Sequence, residues 1–219
     1  MGWRHLPAFV STAGFLVLAV GMGTTVWAAA DFHEYGEAVH AKNEILYVTR
    51  GLWSVCYSAF GLTECEHLDA GNIAPQDHAV RFFVMIGALL AAAGLGLEAY
   101  YIRRDHMGEA VPVIVKYASG VLILAAAVCT LVGTLVYTAT GPKGWNINDH
   151  IQFPGTVFDG SKWQFGYSVY LAWASVVPLL AAGCALLHQA RTLNKDVSND
   201  FGANKIENFH THHEIHNIE

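Results

Sequence analysis

Four apolar runs limit what this chain can become: at about 9–30, 79–102, 111–138 and 165–187 it is long enough and apolar enough to cross a bilayer as a helix. With 53% apolar and only 14% charged residues in a chain of 219, the composition rules out an ordinary soluble domain and predicts a polytopic membrane protein. The formal charge of −6 comes with basic residues that are few and scattered rather than striped along one face, which excludes a nucleic-acid binder.

The first run has features of a signal peptide, with Trp3-Arg4-His5 ahead of it and Ala28-Ala29-Ala30 at its end. It exceeds the roughly 7 to 15 residues of a signal-peptide core, however, and reads as an uncleaved first span with Pro7 near its start. The loop at 31–78 is mixed in polarity, and Ile45-Leu46-Tyr47-Val48-Thr49 suits a short strand better than a helix, so a small antiparallel sheet is expected there. The second span is rich in small residues (Gly87, Ala88, Ala91, Ala92, Gly94, Gly96) that permit close helix packing, and it should face the bundle. A short link with Arg103 and Arg104 leads to the third span, a second loop follows at 139–164, and Pro178 marks a potential kink in the fourth span. The organisation is thus one four-span domain over 1–190 and a polar, His-containing tail over 191–219.

Arg4, Arg103, Arg104, Arg191 and Lys195 fall on one side of the spans, which places both termini in the cytoplasm and the two large loops outside; Lys42, Arg50, Lys143 and Lys162 are exceptions to that bias. No Asn-x-Ser/Thr acceptor occurs in the chain. Of the four cysteines, Cys129 and Cys184 lie within apolar runs and read as small hydrophobes. Cys56 and Cys65 lie in the watery stretch RGLWSVCYSAFGLTEC, among strand-like residues with Gly61 between them. They read as a disulfide between neighbouring strands, which the outside placement favours over two free thiols.

Little points to chemistry. No ionisable residue sits at mid-depth in any span: Glu98 and Lys116 lie near cytoplasmic ends, where snorkelling or an end-of-helix partner explains them as well as function does, and Arg81, near the outer end of the second span, stands apart from them. His5, His106 and His188 fall at span ends, unsuited to axial haem ligation. There is no Ser-His-Asp arrangement, Walker loop or His-Glu-x-x-His helix, so neither an enzyme nor a cofactor is expected. His210, His212, His213 and His216 offer imidazoles that suit zinc, but a tail of this kind binds metal weakly, and no metal site is assigned. Asn217-Ile218-Glu219 lacks the apolar last side chain that a PDZ groove captures, so a PDZ scaffold is not expected as a partner.

Trp27 at the end of the first span, Gly51-Leu52-Trp53, Cys56 and Cys65, and Arg81 at the entry to the second span together resemble the superfamily of claudins, peripheral myelin and epithelial membrane proteins, and calcium-channel and AMPA-receptor gamma subunits. The opening of the fourth span, Phe165 to Trp173, is similar to claudins and the myelin branch, and Phe153-Pro154 and Lys162 sit where claudins carry contact residues of the second loop. The resemblance implies an all-α membrane protein: a left-handed four-helix bundle topped by a small extracellular antiparallel sheet, most of its strands from the first loop and one from the second. It places Trp53 near the outer leaflet and has Arg81 reach the backbone of the Gly-Leu-Trp segment. The chain departs from typical claudins in a longer stretch between Trp27 and Gly51 and in lacking a cysteine pair after the fourth span.

Two functions follow from the resemblance. One is a plasma-membrane protein of cell–cell contacts, meeting itself or related proteins in cis and trans and sealing or selecting in the paracellular space. The other is an auxiliary subunit of an ion channel or receptor. The missing glycan acceptor and the matches at Arg81 and the fourth span favour the first. The first loop carries Asp31, Glu34, Glu37, Glu44, Glu64, Glu66, Asp69 and Asp77 against Lys42 and Arg50, so its outer face is expected to be strongly negative. By resemblance Glu66, just after the second cysteine, lies where a paracellular path is lined, with Glu64 beside it, which would favour cations.

Overall fold

The computed structural model describes residues 5–31, 47–59, 62–68, 75–109, 111–141 and 163–215, with the backbone alone at 31, 59 and 196–215. Helix α1 (Leu6–Gly23) leads into strands β1 (Ala28–Asp31), β2 (Tyr47–Arg50), β3 (Ser54–Ala59) and β4 (Leu62–His67). Helices α2 (Pro75–His106) and α3 (Val113–Thr140) follow, then strand β5 (Gln164–Phe165) and helix α4 (Tyr167–Ile215). Four helices are long and apolar enough to cross a membrane: α1, α2, α3 and the Tyr167–Lys195 part of α4. Their outward faces carry Phe9, Leu16, Phe82, Leu89, Val128 and Val177, suited to acyl chains rather than water.

The first span is shorter than expected, and what was read as its end belongs to the sheet. Helix α1 stops at Gly23, and Thr24 turns extended at ψ 150° while its N–H still donates to the Val20 carbonyl. The β-branched Thr24, Thr25 and Val26 favour extended backbone, and Ala28 and Ala30 are buried by strand pairing rather than by lipid. A continuous apolar run therefore holds a helix and a buried strand, and Trp27 sits in the connection between them. Eighteen helical residues span about 27 Å, close to the roughly 30 Å of a hydrocarbon core.

Helix α2 starts at Pro75, where a missing N–H costs nothing, and places Asp77 in its first turn and Arg103, Arg104 and His106 in its last, each sign suited to the helix dipole at its end. Helix α4 begins at Tyr167, two residues later than expected, because Gln164 and Phe165 join the sheet. It then continues without a break past 187 and past 190/191 to Ile215, since loss of apolar residues ends a membrane crossing but not a helix.

The helices form a ring in which α2 packs closely on α3, α3 on α4 and α4 on α1, with a thinner contact between α1 and α2. Leu18, Val84, Ile123, Ala126, Leu179 and Leu186 fill the centre. Both described ends of the chain emerge opposite the sheet, because α1 runs toward it and α4 away from it. The sheet is antiparallel throughout in the order β4-β3-β2-β1-β5, so the second-loop strand closes one edge and β4 forms the other.

Candidate functional site

The β3–β4 hairpin forms one edge of the sheet. Cys56 and Cys65 face each other in register and are disulfide-bonded, and two pairs further on the Ser58 and Thr63 hydroxyls share a 2.9 Å hydrogen bond. All six residues of β4 are exposed. Directly opposed residues share a sheet face, so Val55 and Tyr57 lie on the face that carries Glu66 and Glu64. On the neighbouring strands that same face holds Val48, Arg50, Ala28 and Ala30, all buried. The face is buried at β1 and β2, where Arg50 lies among apolar residues, and carries exposed side chains at both edges, Phe165 on β5 and Glu64 and Glu66 on β4.

Where the sheet meets the bundle, the motif residues form a collar. The Trp27 indole N–H donates to the Gly21 carbonyl at 2.9 Å and the Trp53 indole N–H to the Met22 carbonyl at 3.1 Å, satisfying carbonyls that the last turn of α1 cannot pair internally. Trp27 is completely buried and meets the Tyr137 ring edge-on at a centroid distance of 5.0 Å. Gly51 is needed because a Cβ there would stand 2.8 Å from Thr25 Cα, and Gly166 because one there would stand 2.0 Å from the Val26 carbonyl oxygen. Gly166 N–H donates to Trp27 O and Ser168 N–H to Val26 O, while the Ser168 and Thr24 hydroxyls lie 2.6 Å apart, so the start of α4 is stitched to the end of α1.

Arg50 and Asp77 form the charged centre of the collar, with Nη2 donating to Oδ2 at 2.7 Å and both side chains about nine-tenths buried. Burial lowers the Arg50 pKa and the Asp77 carboxylate opposes that shift. Sequence reasoning missed this pair: Arg50 was counted as a loop exception and Asp77 as part of a negative outer face, whereas the two neutralise one another inside the protein. No local pattern announces it, because the partners lie 27 residues apart.

Arg81 does not reach the Gly-Leu-Trp backbone through a hydrogen bond, as the resemblance implied. Its Nε and Nη2 are buried and make none, and the guanidinium lies over the Trp53 ring at 5.3 Å from the centroid. Trp53 is thereby held between the end of α1 and the first turns of α2.

At the far end of the bundle, Glu98 and Lys116 are not snorkelling; both are buried, at 4% and 5% exposure. Lys116 Nζ lies 4.5 Å from the Tyr101 ring centroid, and the Ser119 hydroxyl is 2.9 Å from the Gly94 carbonyl and 3.4 Å from Glu98 Oε2. These contacts run between α2 and α3 and tie the helical hairpin together.

Leu52 is buried beneath the sheet, Glu64 and Glu66 are exposed, and Phe153, Pro154, Lys162 and His216 lie outside the described residues. His210, His212 and His213 lie on α4, where the backbone alone is described. Among the described residues no three His, Cys, Asp or Glu side chains are grouped to hold a metal ion. Cys184 is exposed on α4 and Cys129 half-buried on α3.

Residues 6–186 match the family model described as the PMP-22/EMP/MP20/Claudin family. Among curated proteins, Claudin-11 of Homo sapiens is 28% identical over 192 residues, covering 85% of this chain and 78% of that protein. Claudin-4 of Canis lupus familiaris is 26% identical over 190 residues and covers 85% of each.

Proposed function

The chain belongs to the PMP-22/EMP/MP20/Claudin family, and we propose that it acts without catalysis at contacts between neighbouring cells, its sheet in the intercellular space and its termini in the cytoplasm. The observation that carries this reading is the β3–β4 hairpin: a disulfide-stapled strand pair at one edge of the sheet, with Glu64 and Glu66 presented to solvent. A disulfide persists on the oxidising side of a plasma membrane, which supports the sheet facing out. Arg103, Arg191 and Lys195, exposed at the opposite end, support that end facing the cytoplasm.

In this reading copies of the chain meet each other or related proteins within one membrane and across the cell gap, and Glu66 lines a narrow wet path. A carboxylate there raises local cation concentration and opposes anions over a screening length of about 8 Å at physiological salt. Named relatives that are claudins favour this role over an auxiliary channel subunit. Expressed in cells without junctions, the protein should concentrate at cell contacts. Uniform surface staining together with co-purification of a channel would favour the subunit role instead. On epithelial layers, dilution potentials should show cation preference for wild type and its loss for Glu66→Lys; equal sodium-to-chloride preference in both would remove Glu66 from the path.

A further inference from the structure

Tyr57 shares a sheet face with the two carboxylates and differs from them in being anchored. It stands directly opposite Glu64, and Glu66 is its diagonal neighbour two positions along β4. Opposed Cβ atoms in such a pair are about 5 Å apart and diagonal ones roughly 7 to 8 Å, within reach of an aromatic side chain. On its other flank Tyr57 is paired with Val48, and its ring packs against the buried cluster of Ala30, Val48 and Val55. The ring is therefore held at the boundary where the dry part of the face becomes the wet part.

We propose that Tyr57 is a specificity-determining residue of the Glu66 path, its ring and phenol oxygen forming a fixed wall against which a passing alkali cation gives up part of its hydration. The inference rests on the cation-path reading above and adds a division of labour to it. The carboxylates set cation over anion, and Tyr57 sets one cation against another. A low-dielectric ring beside a carboxylate strengthens the field that the carboxylate projects, and a π-face attracts a partly dehydrated cation more than a fully hydrated one. Burial raises the phenol's pKa and the nearby Glu66 carboxylate raises it further, so the group stays a neutral dipole over the physiological range rather than a third anion. Arg50 and Val55, also on this face, do not compete for the role, since Arg50 is paired with Asp77 and Val55 is buried.

The test uses the full-length protein in epithelial layers that lack cation-selective paths of their own. Bi-ionic potentials for lithium, sodium, potassium and caesium, with sodium-chloride dilution potentials, would be recorded for wild type, Tyr57→Leu, Tyr57→Met and Glu66→Lys. Both Tyr57 substitutions keep an apolar side chain on the Val48 cluster, so at least one should reach the contacts at wild-type abundance. The expected result is preserved cation-over-anion preference in the Tyr57 variants, with loss of the wild-type alkali ordering toward that of free-solution mobility. An unchanged alkali series in either Tyr57 variant overturns the inference while leaving the path intact. An unchanged dilution potential in Glu66→Lys instead overturns the path reading itself.

Discussion

On β1 and β2, Ala28, Ala30, Val48 and Arg50 are at most 6% exposed, whereas Glu64 and Glu66, two strands from β2 on the same face, are exposed. The root of the sheet is held by close backbone approach, two indole hydrogen bonds into α1 and a buried ion pair to α2. The outer edge is joined to β3 by a disulfide and a hydroxyl pair, and all six of its residues are exposed. Substitutions at the root should therefore act through folding, while those at β4 should be tolerated by the fold and read out only in recognition or ion preference.

The largest effect expected is from Gly166→Val. A side chain placed 2.0 Å from the Val26 carbonyl oxygen forces α4 off the end of α1, and folded protein at the cell surface should be lost. Wild-type surface levels would show that this junction yields without cost. Next comes Asp77→Ala, which strands the buried Arg50 charge and should cost about 3 to 5 kcal/mol in detergent unfolding experiments. The double variant Arg50→Met with Asp77→Leu should recover most of that loss, and a double variant as unstable as the single would mean the pair itself, not the stranded charge, holds the root.

Removing the hairpin bond with Cys56→Ser and Cys65→Ser should cost about 2 to 3 kcal/mol for so short a loop. Arg81→Ala loses its stacking on Trp53 and should cost about 0.5 to 2 kcal/mol, less than Asp77→Ala. The reverse ranking in melting temperature would restore Arg81 as the principal anchor. Smallest is Leu62→Ser at the outer edge, where a side chain 71% exposed should change stability by no more than about 0.5 kcal/mol. A large loss there would mean that β4 is covered by something in the assembled state, and would erase the contrast between root and edge.

Much of the candidate site was legible because its signals are local. The Cys56 and Cys65 spacing, the strand-like residues around them and the Gly-Leu-Trp run all act within one hairpin and the turn that enters it. The small residues of α2 were legible only in part. Gly87 and Gly94 meet Thr130 and Ile123 of α3, while Gly96 has open space where a side chain would stand. Composition marked the helix as suited to close packing but could not say which of its faces would be used.

Length and hydropathy alone determined that four helices span and that the stretch between the first two holds strands, since a bilayer tests apolar length and a strand tests alternation, both within a short window. Only the tertiary structure decided where α1 gives way to β1, because an alanine buried by lipid and one buried by a neighbouring strand read the same in sequence. Only it paired Arg50 with Asp77 and Thr24 with Ser168, across 27 and 144 residues, and buried Glu98 and Lys116 in the α2–α3 seam. A charge or hydroxyl takes whichever partner packing brings within 3 Å or so, and that choice is made by the whole fold rather than by the residues on either side.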